Sequence, residues 1–280
     1  MGSKLEVAIQ AALAAGELIM HYFDKREILE VKTKSLNDFV SQVDCRAEEE
    51  VIAVLKAAYP EHGFLGEEGG RQGEIGNNSV WVIDPLDGTT NFLRGIPHFA
   101  VSIALVQSGE VVCGVIYDPA RQELFTAARG KGAAMNGRAL RVAEQTDFPS
   151  ALLGTGFPLI DRNVCDVYFD MLRAATRRGT GIRRGGAAAL DMAWVACGRI
   201  DGFWEIGLKP WDIAAGMVMI AEAGGVVTDF AGGHSCLKTG DVIAACPSLH
   251  RQMYESFLPH ADGLPLRDRA GTATMVKDIS

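Results

Sequence analysis

The sequence predicts an α/β (α+β) fold in which helices layer on sheets. Three observations carry this reading. The first segment repeats apolar side chains at helical spacing. From Ala100 to about Val142, short apolar runs alternate with tight-turn residues. Beyond Asp147-Phe148-Pro149, strands and helices alternate. The composition shift at that point divides the chain into a helix-plus-antiparallel-sheet half, residues 1–148, and an alternating α/β half, residues 149–262. Residues 263–280 lack periodicity and are expected to form a mobile tail. The two halves are expected to share one layered body, the alternative being two separable domains. Of 280 residues, 48% are hydrophobic and 22% charged, which excludes disordered and collagen-like chains.

Leu5, Ile9, Leu13, Gly16, Met20 and Phe23 predict a first helix. The polar stretch from Lys32 to Asp38 reads as a loop. Val43, Ala47, Val51, Leu55 and Tyr59 predict a second helix, which Pro60 ends. Two apolar runs then stop at acids: Phe64-Leu65-Gly66 runs into Glu67-Glu68, and Val80–Ile83 runs into Asp84. Both read as buried strands with carboxylates at their C-terminal ends. Val101–Gln107 and Val111–Tyr117 flank the hairpin signal Ser108-Gly109-Glu110, Leu124–Ala127 is a third strand, and Asn136-Gly137 marks a type I′ turn between two more. In the second half, Ala151–Thr155 is a strand and Val164 to Ala175 a helix. A short strand near Ile182 leads to a helix from Ala188 to Cys197. Strand Gly202–Ile206 precedes a helix from Asp212 to Ala223, stopped by Gly224-Gly225. Val226–Asp229 and Val242–Ala245 are strands, and Ser248 is expected to cap a closing helix.

The 27 Lys and Arg against 35 Asp and Glu leave a net charge of −8, which disfavours wholesale nucleic-acid binding. A local basic patch survives that argument. The densest is Arg173, Arg177, Arg178, Arg183 and Arg184, readable as a solvated face, a dimer contact, a phosphate contact, or a protein or RNA docking patch. The longest stretch without formal charge, Gly95 to Gly109, is too short to span a membrane, and Lys4 and Glu6 leave no secretory signal core. The six cysteines form no CxxC pair, and several sit in apolar runs. They read as reduced thiols serving as small hydrophobes, which points to the cytoplasm and away from zinc sites or disulfides.

The chemistry concentrates in Trp81-Val82-Ile83-Asp84-Pro85-Leu86-Asp87-Gly88-Thr89-Thr90-Asn91-Phe92. A buried strand ends at Asp84, Pro85 breaks its ladder, Gly88 permits a sharp turn, and Thr89-Thr90 open a short helix. Carboxylates bind divalent cations through oxygen, and backbone N–H groups at a helix start bind phosphate. Taken singly, Asp84 and Asp87 are turn and capping residues, Glu67 is a loop acid, and Asp212 is a helix-start acid favoured by the dipole. Together they occupy the strand ends and helix starts where α/β sheets place their sites. This points to a hard-metal, phosphate-handling enzyme.

Asp84-Pro85-Leu86-Asp87-Gly88-Thr89-Thr90-Asn91-Phe92 resembles the first motif of the inositol monophosphatase family. Leu208-Lys209-Pro210-Trp211-Asp212-Ile213-Ala214-Ala215-Gly216 resembles its WD motif, Glu222-Ala223-Gly224-Gly225 follows in place, and Gly66-Glu67-Glu68-Gly69 resembles the upstream GEE element. The resemblance runs from about Leu5 to Leu258 and is strongest to the bacterial SuhB-type branch. It implies a layered αβαβα sandwich of the inositol monophosphatase and sugar phosphatase type, usually homodimeric. It also implies Mg²⁺, two or three ions per subunit, with Li⁺ inhibitory. Glu67, Asp84 and the Leu86 carbonyl would hold one ion, Asp84, Asp87 and Asp212 a second, and Glu67 a third. Thr89 and Glu67 would orient a metal-activated water, and Asp44 would hydrogen-bond Thr89. Asp44 and Thr89 also read as helix caps.

The same resemblance places Lys34 and Asp38 in a mobile loop; taken alone they are a solvated polar loop. It places Glu205 at the polyol ring, and Arg183, Arg184, Gly186, Ala187 and Ala188 along it, with Leu86, Asp87, Gly88, Thr89 and Asp212 completing the substrate contacts. Related proteins often carry Ser or Thr where this chain has Ala187, which removes one hydroxyl contact of about 1 kcal/mol. The implied reaction is hydrolysis of a small polyol phosphate, inositol 1-phosphate foremost. Fructose 1,6-bisphosphate, histidinol phosphate and 3′-phosphoadenosine 5′-phosphate are alternatives of the same chemistry. A regulatory binding protein that keeps the fold is the alternative of another class; a nucleic-acid or transcription-machinery partner is open to it, but nothing in the sequence indicates one.

Overall fold

A computed structural model describes residues 2–25, 31–35, 38–73, 78–144, 147–157, 164–261 and 264, with the backbone alone over 31–35 and 38–41. Helix α1 (Lys4–Phe23) opens with a capping box between Ser3 and Glu6. Strands β1 (Val31–Ser35) and β2 (Asp38–Ser41) precede α2 (Gln42–Ala58). An eight-stranded sheet follows from β3 (Gly63–Gly66), β4 (Gly70–Gln72), β5 (Ser79–Asp87), β6 (Ala100–Gln107), β7 (Glu110–Asp118), β8 (Glu123–Ala128), β9 (Gly132–Met135) and β10 (Arg138–Ala139). The short helix α3 (Thr89–Arg94) links β5 to β6. The order is β10-β9-β8-β7-β6-β5-β3-β4, antiparallel except for the parallel pair β3–β5. A second sheet, β12-β11-β13-β15-β14, is formed by β11 (Leu152–Thr155), β12 (Gly181–Arg183), β13 (Gly202–Glu205), β14 (Val226–Thr228) and β15 (Val242–Ala245). Its helices are α4 (Cys165–Arg177), α5 (Ala188–Ala196), α6 (Pro210–Glu222), α7 (Cys236–Thr239) and α8 (Pro247–Ala261).

Strand periodicity sorts the side chains into layers. On β5, Trp81 and Ile83 face α1 and α2, whereas Val80 and Val82 face α5 and α6. On β13, Phe203 joins the same inner layer as Val82, and Trp204 turns outward to Tyr168 of α4 and Phe257 of α8. The five layers are therefore α1/α2, the large sheet, α5/α6, the small sheet, and α4/α8: the αβαβα sandwich. The inner core draws on residues from both sides of Phe148.

Several local expectations change. The stretch from Lys32 to Asp38 is largely a β1–β2 hairpin rather than a loop, although the side chains of Lys34 and Asp38 lie outside the described residues. Strand β5 does not stop at Asp84. It continues through Pro85 to Asp87, because Asp84 pairs with Ser102 and Asp87 with Ala100, leaving one extra residue bulged. A bulge needs no ladder bond at that point, so proline's missing N–H costs nothing there. Helix α8 starts at Pro247, which puts Ser248 inside it rather than at its cap. Strand β4 and helix α7 escaped the sequence pattern, being three and four residues long. All six thiols are free, and Cys45 departs from the hydrophobic role by being exposed. The expected tail beyond Leu264 lies outside the described residues.

Candidate active site

The parallel pairing of β3 and β5 brings two acids to one sheet end. Gly66 pairs with Ile83, and the Glu67 N–H donates to the Ile83 carbonyl at 3.1 Å, so Glu67 sits beside Asp84. The bulge then redirects the backbone. The Leu86 N–H donates to Asp84 Oδ1 at 3.0 Å, and Gly88, at φ 93°, turns the chain into α3. A Cβ at Gly88 would lie 2.9 Å from the His98 carbonyl. Thr89 then opens α3, and its hydroxyl lies 2.9 Å from Asp44 Oδ1 and 3.1 Å from the Leu86 carbonyl. Asp44 is fully buried in the first turn of α2, one side chain deep to Thr89 and past the cap position.

The third acid comes from the opposite layer. Asp212 lies in the first turn of α6, where its Oδ2 accepts the Lys209 N–H at 2.7 Å. Ser102, directly across from Asp84 on β6, donates its hydroxyl to the Trp211 carbonyl at 3.0 Å and ties α6 to that strand. Asp87 is tied to α5, accepting the Ala189 N–H on Oδ2 at 2.7 Å.

Burial and mutual repulsion push these carboxyls up. Asp84 is held well above the usual carboxylate range by burial first, then by Glu67, Asp87 and Asp212. Burial raises Asp87 to about 7, against the hydrogen bond from Ala189 and with help from Asp191 and Glu67. Burial and Asp87 raise Asp212 to about 8 despite hydrogen bonds from Lys209 and with Asp84. An all-carboxylate set with excess negative charge has the donor chemistry of a hard divalent cation. Among the described residues, no three His, Cys, Asp or Glu side chains already converge as a closed cation cage. Asp84, Asp87 and Asp212 are instead each steadied by a backbone N–H.

A cleft of about 140 Å³ opens beside these acids. Of the expected substrate contacts, Asp87, Gly186, Ala187, Ala188, Glu205 and Asp212 line it. Leu86, Gly88 and Thr89 are not in its lining. Arg183 is exposed on β12 and donates to the Ile182 carbonyl at 3.1 Å, while its neighbour Arg184 lines the cleft and packs over the Phe157 ring. Glu205 is raised well above its ordinary value by burial, then by Asp191 and Asp212, with Arg184 opposing. Asp191 is a lining residue that the motif reading missed: burial raises it to about 7, against the pull of Arg184. Its signal was a lone carboxylate in the apolar run Ala188-Ala189-Leu190-Asp191-Met192-Ala193.

The sequence pattern of the inositol monophosphatase family matches residues 3–263. A Pseudomonas aeruginosa protein named "Nus factor SuhB" is 48% identical over 265 residues, 93% of this chain and 97% of that protein. An Escherichia coli protein of the same name is 44% identical, over 90% of this chain and 95% of that one. The crystal structure of the extragenic suppressor protein suhB of Bartonella henselae superposes with a TM-score of 0.88 at 42% identity, covering 91% of this chain and 98% of that one. The inositol monophosphatase of Anabaena gives a TM-score of 0.82 at 38% identity, covering 91% and 95%. Among the described residues, no helix is long and apolar enough to cross a membrane. Motif order, layered fold and full-length similarity agree: the chain belongs to the inositol monophosphatase family.

Proposed function

We propose that this protein is a Mg²⁺-dependent phosphomonoesterase acting on a small polyol phosphate, inositol 1-phosphate foremost. The supporting observation is one constellation: three acids whose carboxyls are raised by burial first and by their acidic neighbours second, an oriented Thr89–Asp44 pair beside them, and a polar cleft in front. Glu67, Asp84, the Leu86 carbonyl, Asp87 and Asp212 would hold two or three ions, which supply Lewis-acid stabilisation of phosphoryl charge.

The chain's own groups do the rest. With its proton directed to Asp44 or Leu86, Thr89 Oγ1 offers lone pairs to an attacking water and fixes its direction. Glu67 takes up that water's proton as the new phosphorus–oxygen bond forms and the bond to the ester oxygen breaks, and the departing polyol oxygen takes a proton from a water in the cleft. Glu205 accepts hydrogen bonds from the polyol hydroxyls, and the Gly186–Ala188 backbone lines the ring. The protein acts as a homodimer, which light scattering in solution measures.

The test is phosphate release by purified protein from inositol 1-phosphate, fructose 1,6-bisphosphate, histidinol phosphate and 3′-phosphoadenosine 5′-phosphate, with and without Mg²⁺ and then Li⁺. Mg²⁺-dependent release, greatest for inositol 1-phosphate and suppressed by lithium, is expected. Release favouring another ester overturns the substrate and keeps the chemistry. No release from folded protein overturns the phosphatase reading.

The relatives' shared name favours a second role, binding to transcription machinery. Arg173, Arg177 and Arg178 form an exposed basic face at the C-terminal end of α4, far in the fold from Asp84. An Asp87→Asn variant that loses phosphate release yet still complements loss of this protein in its host would make binding the main task.

A further inference from the structure

The lining of the cleft comes from distant parts of the chain. Asp87 at the β5–α3 turn and Asp212 on α6 give its acid side; the loop from Arg184 to Ala188, which leads from β12 into α5, gives another, with Glu205 and Leu208 also in the lining. Asn91, on α3 and buried at 8% exposure, does not itself line the cleft. Its side-chain amide donates to the His98 carbonyl at 2.8 Å and the Gly185 carbonyl at 3.0 Å, with the Gly186 carbonyl at 3.5 Å. One amide thus gathers three carbonyls from two loops.

The far side of the Arg184–Ala188 loop is wedged as tightly. A Cβ at Gly185 would stand 2.6 Å from His98 Nε2 and 2.9 Å from Asp191 Oδ1, so the backbone presses directly on both. His98 is itself backed edge-on by Trp194, with ring centroids 5.1 Å apart. Downstream, Ala189 gives its N–H to Asp87. The loop is therefore pinned by Asn91 at its start and by Asp87 at its end.

We infer that Asn91 is a positioning residue: it sets the gap between the acid wall and the leaving-group wall, and with it the preference for a ring-sized polyol. The role needs a donor at this site, and the amide offers two N–H groups to it. A carboxylate would face three carbonyls, and alanine would leave them without their donor.

The inference rests on the phosphatase reading for its substrate arm and has an independent structural arm. Asn91→Ala is expected to raise KM for inositol 1-phosphate about tenfold, a change of one lost buried hydrogen bond's order, with kcat held within about threefold. The ratio of kcat/KM for inositol 1-phosphate to that for p-nitrophenyl phosphate, whose flat leaving group has no ring hydroxyls, falls by about the same factor. Amide hydrogen exchange at residues 185–189 speeds up, while exchange in β3 and β5 does not. Asn91→Ser, which keeps one donor, recovers part of both effects and serves if the alanine variant fails to fold. Equal loss on both esters, or unchanged exchange at 185–189, overturns the inference. If the unaltered protein releases no phosphate from either ester, the phosphatase reading fails, and the exchange measurement alone decides the role of Asn91.

Discussion

Thr89 has one hydroxyl proton and two acceptors within reach, Asp44 and the Leu86 carbonyl, so its lone pairs face away from both. That single orientation makes Thr89 a directional group. Thr89→Ala is expected to lower kcat on inositol 1-phosphate by about a hundredfold or more, with KM little changed, while Thr89→Ser retains most of the rate. Steady-state phosphate release separates the two outcomes; equal losses for Ala and Ser would show that the methyl group matters and the hydroxyl does not. Residue-scale legibility followed side-chain chemistry. The acids at Glu67, Asp84, Asp87 and Asp212 stood out because each follows an apolar run or opens a helix in the sequence, although Asp84 lies inside β5 at its bulge rather than at its end. Arg184 did not stand apart from Arg183, because which of two adjacent residues faces the cleft depends on the strand's set against its neighbours. Asn91 lay inside a visible motif, yet its carbonyl partners at Gly185 and Gly186 belong to a later loop that no local pattern connects to it.

Elements hold these residues by close approach. Helix α6 lies so near β7 that a Cβ at Gly114 would stand 2.8 Å from Ala215 Cα and 3.0 Å from its carbonyl. Gly114→Ala is expected to destabilise by about 1–3 kcal/mol through overpacking. Asp212 rides on the same helix, so the proposed phosphate release is expected to fall as well. Thermal unfolding and phosphate release check both, and an unchanged Tm removes the close-packing account. Period-two and helical spacing made most elements readable before any coordinates. What escaped was pairing. Pro85 reads as the end of a ladder, and only the Ser102 and Ala100 register shows that β5 passes it on a bulge. The β1–β2 hairpin lies in a polar run without apolar alternation, so nothing local marks it as sheet.

Stability belongs to the whole molecule, and the acid cluster ties it to pH. Asp87 and Asp191 at about 7 and Asp212 at about 8 lie above the ordinary 3.8, so the folded protein keeps protons that the unfolded chain has released. That contribution is present at low pH and is lost as pH rises through 7 to 8. His98, pushed down to about 4 by burial, works in the opposite direction, but only below its ordinary 6.5. Chelator-treated protein is therefore expected to lose Tm between about pH 6.5 and 8. Asp212→Asn should flatten that slope, and Mg²⁺ should raise Tm more at pH 8 than at 6.5, because cations bind the ionised carboxylates. Calorimetry over that window decides it; a rising or flat profile contradicts the acid cluster's charge balance. The inner layer adds a constraint on synthesis. Val82 and Ala104 of the large sheet are covered by α5 and α6, which leave the ribosome later than the sheet they cover. A nascent chain that ends before α5 has an apolar sheet face with no lid, and exposed apolar sheet of this kind is what makes partly made chains prone to aggregate.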